Sequence, residues 1–150
     1  MAAAGRRYLE DLPLGEDLDC GSFTFSRTEI IAFARQYDPQ PWHLDGGLAA
    51  ASAFGTLVAS GVHTQAMAIG LMVRCVSDVA VLFGGSLHEA TFMVPALPDT
   101  NYCVHAVWTQ IRPSVSNPTR GVARIEGRAI APDGRIAMRF GVTYIVARRP

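Results

Sequence analysis

The stretch VHTQAMAIGLMVRCV, residues 62–76, carries apolar side chains around most of its circumference when it is drawn as a helix. A helix of this kind belongs in the interior of a protein, because it has no continuous polar face to present to water. Ser60 is a suitable N-cap residue, and Arg74 suits the C-terminal turn, where a cation interacts favourably with the helix dipole. The sequence therefore predicts one buried helix over about 61–76.

The part of the chain that follows this helix has the composition of β-strands. β-Branched and aromatic residues in partial alternation predict strands over about 84–93, 101–112, 119–131 and 135–148, and a shorter one over 22–26. The Pro-Asp-Gly sequence within 131–136 predicts a turn that joins the last two strands as a hairpin. A curved antiparallel sheet wrapped around the central helix accommodates both parts, so the predicted fold class is α+β.

Two short helices are predicted before the central one. Ser26 and Glu29 fit a capping box, and a helix is expected from there to about Tyr37, where Pro39 ends it. Residues 1–21 are expected to be irregular, and 46–53 is expected to form a short helix of small residues. The intervening DPQPWHLD, residues 38–45, contains two prolines within three positions and is predicted to be an irregular loop.

Composition limits the functional classes. The 150 residues, about half of them apolar, suggest one domain over 1–150, and 13 basic residues balance 13 acidic ones. This balance disfavours a nucleic-acid or membrane-surface partner, and no membrane-spanning segment is expected because polar residues interrupt 48–73. The three widely spaced cysteines predict free thiols in a reducing, cytoplasmic compartment. The four histidines have no ligand spacing, so no metal site is expected.

The loop 38–45 could hold an acid/base pair. Asp38 and His43 lie five positions apart, and Pro39 and Pro41 restrict the backbone between them, as the preorganisation of catalytic groups requires. A purely structural role is also consistent with the residues: Asp38 would end one helix, His43 would pack on its neighbour, and Asp45 would start the next helix. The loop by itself leaves both interpretations open.

A second candidate element is the start of the central helix, at Ser60 and Gly61. The first N–H groups of a helix have no acceptor within the helix, and the dipole adds partial positive charge there. Because glycine allows a carbonyl to approach closely, this position could form an oxyanion hole. The alternative is that Gly61 only relieves crowding where the helix meets the sheet.

Together, FARQYDPQPWHLD and AAASAFGTLVASGVHTQAM resemble the hydratase segment of the MaoC-like dehydratases, the (R)-specific enoyl-CoA hydratase family. The residues that match the family pattern are Asp38, Pro41, His43, Asp45, Phe54 and Gly61. The resemblance is good over 30–75 and looser to the end of the chain. Three positions depart from the pattern: Tyr37 replaces glycine, Gln40 replaces asparagine, and Ser60 replaces histidine.

This resemblance implies a hot-dog fold, a homodimer or higher homo-oligomer, and reversible hydration of an enoyl thioester of CoA or an acyl carrier. Asp38 and His43 would hold the water, the Gly61 N–H would polarise the thioester carbonyl, and no cofactor would be needed. Asp45 would cap a helix. Contacts with the substrate are expected from Tyr37, Trp42, Phe54, Ser60 and His63.

Two other functions remain open at this stage. A hot-dog thioesterase would use the same fold and ligand, but it usually places a carboxylate near the central helix, and none occurs between Gly61 and Asp78. A subunit that binds acyl thioesters without turning them over is the second alternative, suggested by the changes at Tyr37 and Ser60. Arg112 and Arg120 could contact CoA phosphates, or could simply be solvated at a strand end.

Overall fold

The computed structural model describes residues 5–150. The first four residues of the segment that was expected to be irregular, 1–4, lie outside this described part. No helix within 5–150 combines the length and the apolar composition that crossing a bilayer would require.

The chain folds into a mixed α+β structure with a six-stranded antiparallel sheet. The strand order is β1-β4-β5-β6-β2, and a very short β3 also pairs with β6 beside β2. The elements, in chain order, are β1 Asp17–Thr24, α1 Arg27–Tyr37, α2 Pro41–Leu44, α3 Gly46–Ala50, α4 Gly61–Cys75, β2 Val81–Leu87, β3 Thr91–Phe92, β4 Asn101–Pro113, β5 Arg120–Ile130 and β6 Ile136–Ala147.

Helix α4 is the central element, as predicted, and the sheet packs around it through four strands, β1, β4, β5 and β6. Ala68 and Met72 on the sheet side are fully buried and belong to the main hydrophobic core. The resulting arrangement is the hot-dog fold. The sheet covers one side of the helix, so Val62 and Val73 remain about half exposed, and α4 is less buried than its apolar circumference predicts.

The long C-terminal strands match the prediction to within two residues at each end, and their turn has Gly134 at a φ of 84°. The predicted strand 84–93 is wrong as one element, because it divides into β2 and β3. Between these two strands His88 stays attached to β6: its backbone N–H donates to the Gly141 carbonyl, and its Nε2 lies 2.5 Å from the Thr143 hydroxyl oxygen. The first strand begins at Asp17, five residues early, with Gly21 at a φ of 89° in its bulge.

The segment between α1 and α4 is more regular than expected. Within the predicted irregular loop 38–45, Pro41–Leu44 forms one helical turn, because a proline in the first helical position loses no hydrogen bond. The capping box of Ser26 and Glu29 is present as predicted. Asp45 caps α3, where its carboxylate accepts from the N–H groups of Gly47 and Leu48, and α3 ends at Ala50 instead of residue 53.

Candidate active site

The C-terminal end of α1 and the turn α2 bring Asp38 and His43 together. Asp38 is the C-cap residue of α1, and His43 lies two residues after Pro41 in α2. The Nε2 atom of His43 lies 3.5 Å from Oδ2 of Asp38. The two residues proposed as an acid/base pair therefore face each other, with the His43 side chain almost entirely buried.

The hydrogen bonds of His43 determine which ring nitrogen carries the proton. Its Nδ1 lies 2.6 Å from the carbonyl oxygen of Val58. Because a carbonyl oxygen only accepts hydrogen bonds, Nδ1 must be the protonated nitrogen in the neutral ring. Nε2 then has a free lone pair directed towards Asp38, and a neutral His43 can accept a proton at that atom.

Two side chains donate hydrogen bonds to the Asp38 carboxylate. The Ser60 hydroxyl donates to Oδ2 at 2.6 Å, and the Gln40 amide donates to Oδ1 at 2.8 Å. The bond from Ser60 is the main reason that the pKa of Asp38 lies below its ordinary value, while partial burial opposes the shift and Gln40 adds to it. Asp38 is therefore ionised at neutral pH and can accept a hydrogen bond or a proton.

Ser60 links this carboxylate to the start of the central helix. It is the N-cap residue of α4, as predicted, and its fully buried hydroxyl oxygen accepts from the N–H of Val62 at 3.2 Å. The same hydroxyl donates its hydrogen to Asp38. Ser60 was expected to contact substrate, but the structure places its side chain behind Asp38, where it orients the carboxylate.

A cavity of about 500 Å³ lies beside the pair and has mostly apolar walls. Its lining residues come from α2 and the loops near it, from the start of α4, from β3 and the segment after it, and from β6. They are Asp38, Gln40, Trp42, His43, Phe54, Val58, Ala59, Gly61, Val62, Thr64, Phe92, Met93, Val94, Pro95, Ala96 and Ala137. A cavity of this size and character suits an apolar ligand with one polar group.

The residues expected to contact substrate separate into two groups. Trp42 and Phe54 line the cavity with ring centroids 5.9 Å apart. Tyr37 projects from α1 towards solvent, and its ring packs on Phe33. His63 lies outside the cavity walls, stacked on Phe33 at 4.2 Å.

The position of His63 follows from helix geometry. A residue two positions after Gly61 is rotated by roughly 200° around the helix axis, so the two residues point to opposite sides. Burial between aromatic rings lowers the pKa of His63, and its Nδ1 has no hydrogen-bond partner in residues 5–150. His63 is therefore a neutral core residue in this structure.

Gly61 is the first residue of α4 and forms part of the cavity wall. Its N–H has no acceptor within the helix, whereas the next N–H, that of Val62, is already bonded to Ser60. An N–H group at the start of a fifteen-residue helix is a suitable donor for a carbonyl or oxyanion. The predicted oxyanion position thus borders the same cavity as Asp38 and His43.

The sequence did not identify two parts of the site. Gln40, noted only as a departure from the family pattern, donates to Asp38. The segment 92–96 forms one wall of the cavity, and the sequence prediction assigned no part of it to the site. It is held in place by a hydrogen bond from the Ala59 N–H to the Ala96 carbonyl, a contact between distant residues for which the sequence contains no local signal.

Other predicted features lie away from the cavity. Arg112 and Arg120 do not line it, and the Arg120 guanidinium lies over the ring of Phe83 at 5.8 Å. Cys20, Cys75 and Cys103 are free thiols. Among residues 5–150, no three His, Cys, Asp or Glu side chains are grouped as metal ligands.

Comparison with known families places this geometry in context. The family described as MaoC like domain matches residues 12–123, which include Asp38, His43, Ser60 and Gly61. The chain belongs to the MaoC-like domain family. Membership agrees with the resemblance found in the loop 38–45 and the start of the central helix, and with the hot-dog arrangement of the sheet around α4.

The chain is also similar to individual proteins. This MaoC-like chain is 33% identical to a MaoC-like dehydratase from Rhodospirillum rubrum, over 96% of this chain and 99% of that one, with a TM-score of 0.87. It has the fold of an (R)-hydratase from A. caviae involved in PHA biosynthesis, at 20% identity over 94% and 99% of the two chains and a TM-score of 0.72. It is also 29% identical over 93 residues to the uncharacterized protein YdeM of Bacillus subtilis, a match that spans 61% of this chain and 65% of that protein.

Proposed function

We propose that this protein catalyses the reversible hydration of a trans-2-enoyl thioester. The observation that carries the proposal is the pair of acceptors, Asp38 Oδ2 and His43 Nε2, which face each other at 3.5 Å beside a mostly apolar cavity. The reaction class agrees with membership of the MaoC-like family and with the dehydratase and (R)-hydratase names of its structural relatives.

The pair suits a water molecule as its ligand. An ionised carboxylate and an unprotonated Nε2 would repel each other unless a hydrogen-bond donor lies between them. Water has two O–H groups, so it can donate to both atoms and present its oxygen lone pairs to the substrate. The Val58 carbonyl and the Ser60 hydroxyl hold the two acceptors in fixed orientations, so little reorganisation is required when the water binds.

The proposed reaction conserves atoms and charge. The water oxygen forms a bond to Cβ of the enoyl group while its proton passes to Asp38 or His43, and the C=C electrons move towards the thioester oxygen. The proton is then returned to Cα, which gives a 3-hydroxyacyl thioester. General acid/base assistance of this kind contributes about 10²–10⁴ in rate.

The Gly61 N–H is the proposed donor to the thioester oxygen, on which negative charge develops. One well-placed donor of this type contributes about 2.7–4 kcal/mol to transition-state stabilisation. The apolar walls around Trp42 and Phe54 would hold the acyl chain. Because water and a thioester are the only reactants, the proposed chemistry needs no cofactor. The thiol that carries the acyl group would be that of CoA or of an acyl carrier protein. The three free cysteines of this chain suit a reducing compartment such as the cytoplasm.

Crotonyl-CoA provides a direct test. We expect loss of the enoyl absorbance on addition of the protein, with 3-hydroxybutyryl-CoA as product and no release of free thiol. Release of thiol would instead identify a thioesterase, although Asp38 is the only carboxylate among the described residues that line the cavity. Binding of acyl-CoA without conversion across a panel of enoyl chain lengths would contradict the enzymatic proposal and indicate a binding subunit.

The Ser60→Ala substitution is expected to change the pH dependence of the reaction. The Ser60 hydrogen bond lowers the pKa of Asp38, so its removal raises that pKa. Because the ionised carboxylate is the active form, the acidic limb of kcat/KM should move to higher pH. Loss of the N-cap should also reduce the free energy of unfolding by about 0.5–2 kcal/mol.

Ser26→Ala is the matched control for this experiment. Ser26 caps α1 in the same manner, but its hydroxyl has no contact with Asp38. The control variant should lose a similar amount of stability and keep the wild-type pH profile. An acidic limb that stays in place in Ser60→Ala would show that Ser60 does not tune Asp38.

We infer that a second copy of this chain covers the exposed edge of β2. Leu82, Phe83 and Leu87 on this edge strand are each at least half exposed. An edge strand has backbone N–H and C=O groups that no neighbouring strand pairs, and this one also carries exposed apolar side chains. Both features favour pairing with a strand of another molecule. A homodimer agrees with the expectation drawn from the family resemblance.

Leu82→Glu should dissociate this dimer, because the carboxylate would be buried at the interface. Light scattering after size-exclusion chromatography should give twice the 16.1 kDa chain mass for the wild type and the single mass for the variant. Val115→Glu, at a fully exposed loop residue, should remain dimeric. A wild-type protein with the mass of one chain at micromolar concentration would contradict the inference.

A further inference from the structure

The side chain of Phe92 lies against the start of the central helix. A methyl carbon placed on Gly61 would lie 2.6 Å from Cζ of Phe92 and 2.8 Å from both Cε atoms. The tip of the ring therefore occupies the space that any larger residue at position 61 would need. Both residues line the cavity, so this contact forms part of the cavity wall and is accessible to a ligand.

Backbone hydrogen bonds fix the chain around Phe92 beside β6. Phe92 pairs with Met138 of β6, and the next N–H, that of Met93, donates to the Ala137 carbonyl at 2.8 Å. Further along, the hydrogen bond between Ala59 and Ala96 ties the segment to the residues that precede Gly61. The two walls are thus joined at one end, and the ring of Phe92 lies against Gly61 where they meet.

We propose that Phe92 is a specificity-determining residue that selects acyl groups without a branch at the carbon next to the thioester carbonyl. The proposal rests on the function proposed above, in which the Gly61 N–H binds the carbonyl oxygen. A carbonyl held at Gly61 has its carbon, and the atoms bonded to that carbon, beside the ring of Phe92. An unbranched acyl chain can pass along the ring of Phe92. A methyl branch on the carbon next to the carbonyl competes with the ring for the same space.

Binding of two saturated isomers measures this selection without relying on catalysis. Butyryl-CoA is unbranched and isobutyryl-CoA carries a methyl branch beside the carbonyl, and neither can be hydrated. Isothermal titration calorimetry should give a Kd for isobutyryl-CoA about tenfold above that for butyryl-CoA, the scale expected when one methyl group fits poorly in an apolar site. In Phe92→Ala the two Kd values should become equal within about twofold, because the space occupied by the ring is released.

Val115→Ala provides the control, because this exposed apolar residue lies in a loop away from the cavity and should keep the wild-type ratio. Equal Kd values in the wild type, or an unchanged ratio in Phe92→Ala, would overturn the proposal for Phe92. Hydration of crotonyl-CoA by the wild type tests the proposed function separately. A wild type that hydrates crotonyl-CoA but binds neither saturated thioester would overturn the proposal for Phe92 and leave the proposed function standing.

A second measurement tests the contact itself. Gly61→Ala keeps the backbone N–H but adds a methyl group where the ring lies, so butyryl-CoA binding should weaken in the wild-type background. In the Phe92→Ala background the same change should have at least about fivefold less effect, as expected for coupled neighbouring residues. An equal loss of butyryl-CoA affinity in the two backgrounds would show that the ring of Phe92 does not limit the space at position 61, and would overturn the proposal.

Discussion

Asp38→Asn is expected to reduce kcat for enoyl-CoA hydration by about 10²–10⁴. The amide is not basic, so it cannot take the proton of the water that attacks the substrate. The fold should survive, because the Ser60 hydroxyl can still donate to the oxygen of the asparagine side chain. Absorbance of crotonyl-CoA measures the activity, and thermal unfolding measures the stability.

Asp45→Asn is the matched control for Asp38→Asn. Asp45 lies in the same segment and caps α3 by accepting from two backbone N–H groups. Asparagine is an N-cap residue of similar strength, so the control should keep both its activity and its stability. If Asp38→Asn were as active as Asp45→Asn, the carboxylate could not be the acceptor of the water proton.

His43→Asn should reduce hydration by a similar factor, about 10²–10⁴. The side-chain nitrogen of asparagine can occupy the position of Nδ1 and donate to the Val58 carbonyl, which preserves the local hydrogen bond. The substitution removes Nε2, the atom 3.5 Å from Asp38. It therefore separates the proposed chemical role of His43 from its structural contact.

The outcome for His43 is best compared with that for His105→Asn. His105 is a partly exposed residue of β4 that pairs with Asp17 at 2.9 Å, away from the cavity. This control should hydrate crotonyl-CoA at the wild-type rate. A His43→Asn protein with wild-type activity would show that Nε2 has no part in the reaction. If His43→Asn fails to fold, His43→Gln replaces it in the experiment, because glutamine keeps an amide near the position of Nε2.

Local patterns explain the predictions that were confirmed. The apolar circumference of 62–76, the capping box of Ser26 and the turn around Gly134 each depend on residues within a few positions of one another. The spacing between Asp38 and His43 is likewise a local pattern, and their catalytic role stays a prediction. The structure brings these two side chains together, and the variants above test their roles.

The predictions that differ from the structure do so for separate physical reasons. The continuous strand expected over 84–93 divides into β2 and β3, although His88 between them still contacts β6. The helical turn of α2 forms in spite of two prolines because one occupies the first helical position. Tyr37 and His63 lie outside the cavity because helix geometry turns their side chains away from it.

The sequence by itself determined the fold class, the central helix and the two segments that bring Asp38, His43 and Gly61 to the candidate site. It could do so because periodicity, capping and turn chemistry act over short distances along the chain. Only the tertiary structure decided that Ser60 orients Asp38, 22 positions away, and that Phe92 packs on Gly61. These contacts depend on how the sheet, α4 and the segment after β3 pack together. The side-chain directions that result are set by packing in three dimensions, which local sequence patterns do not encode.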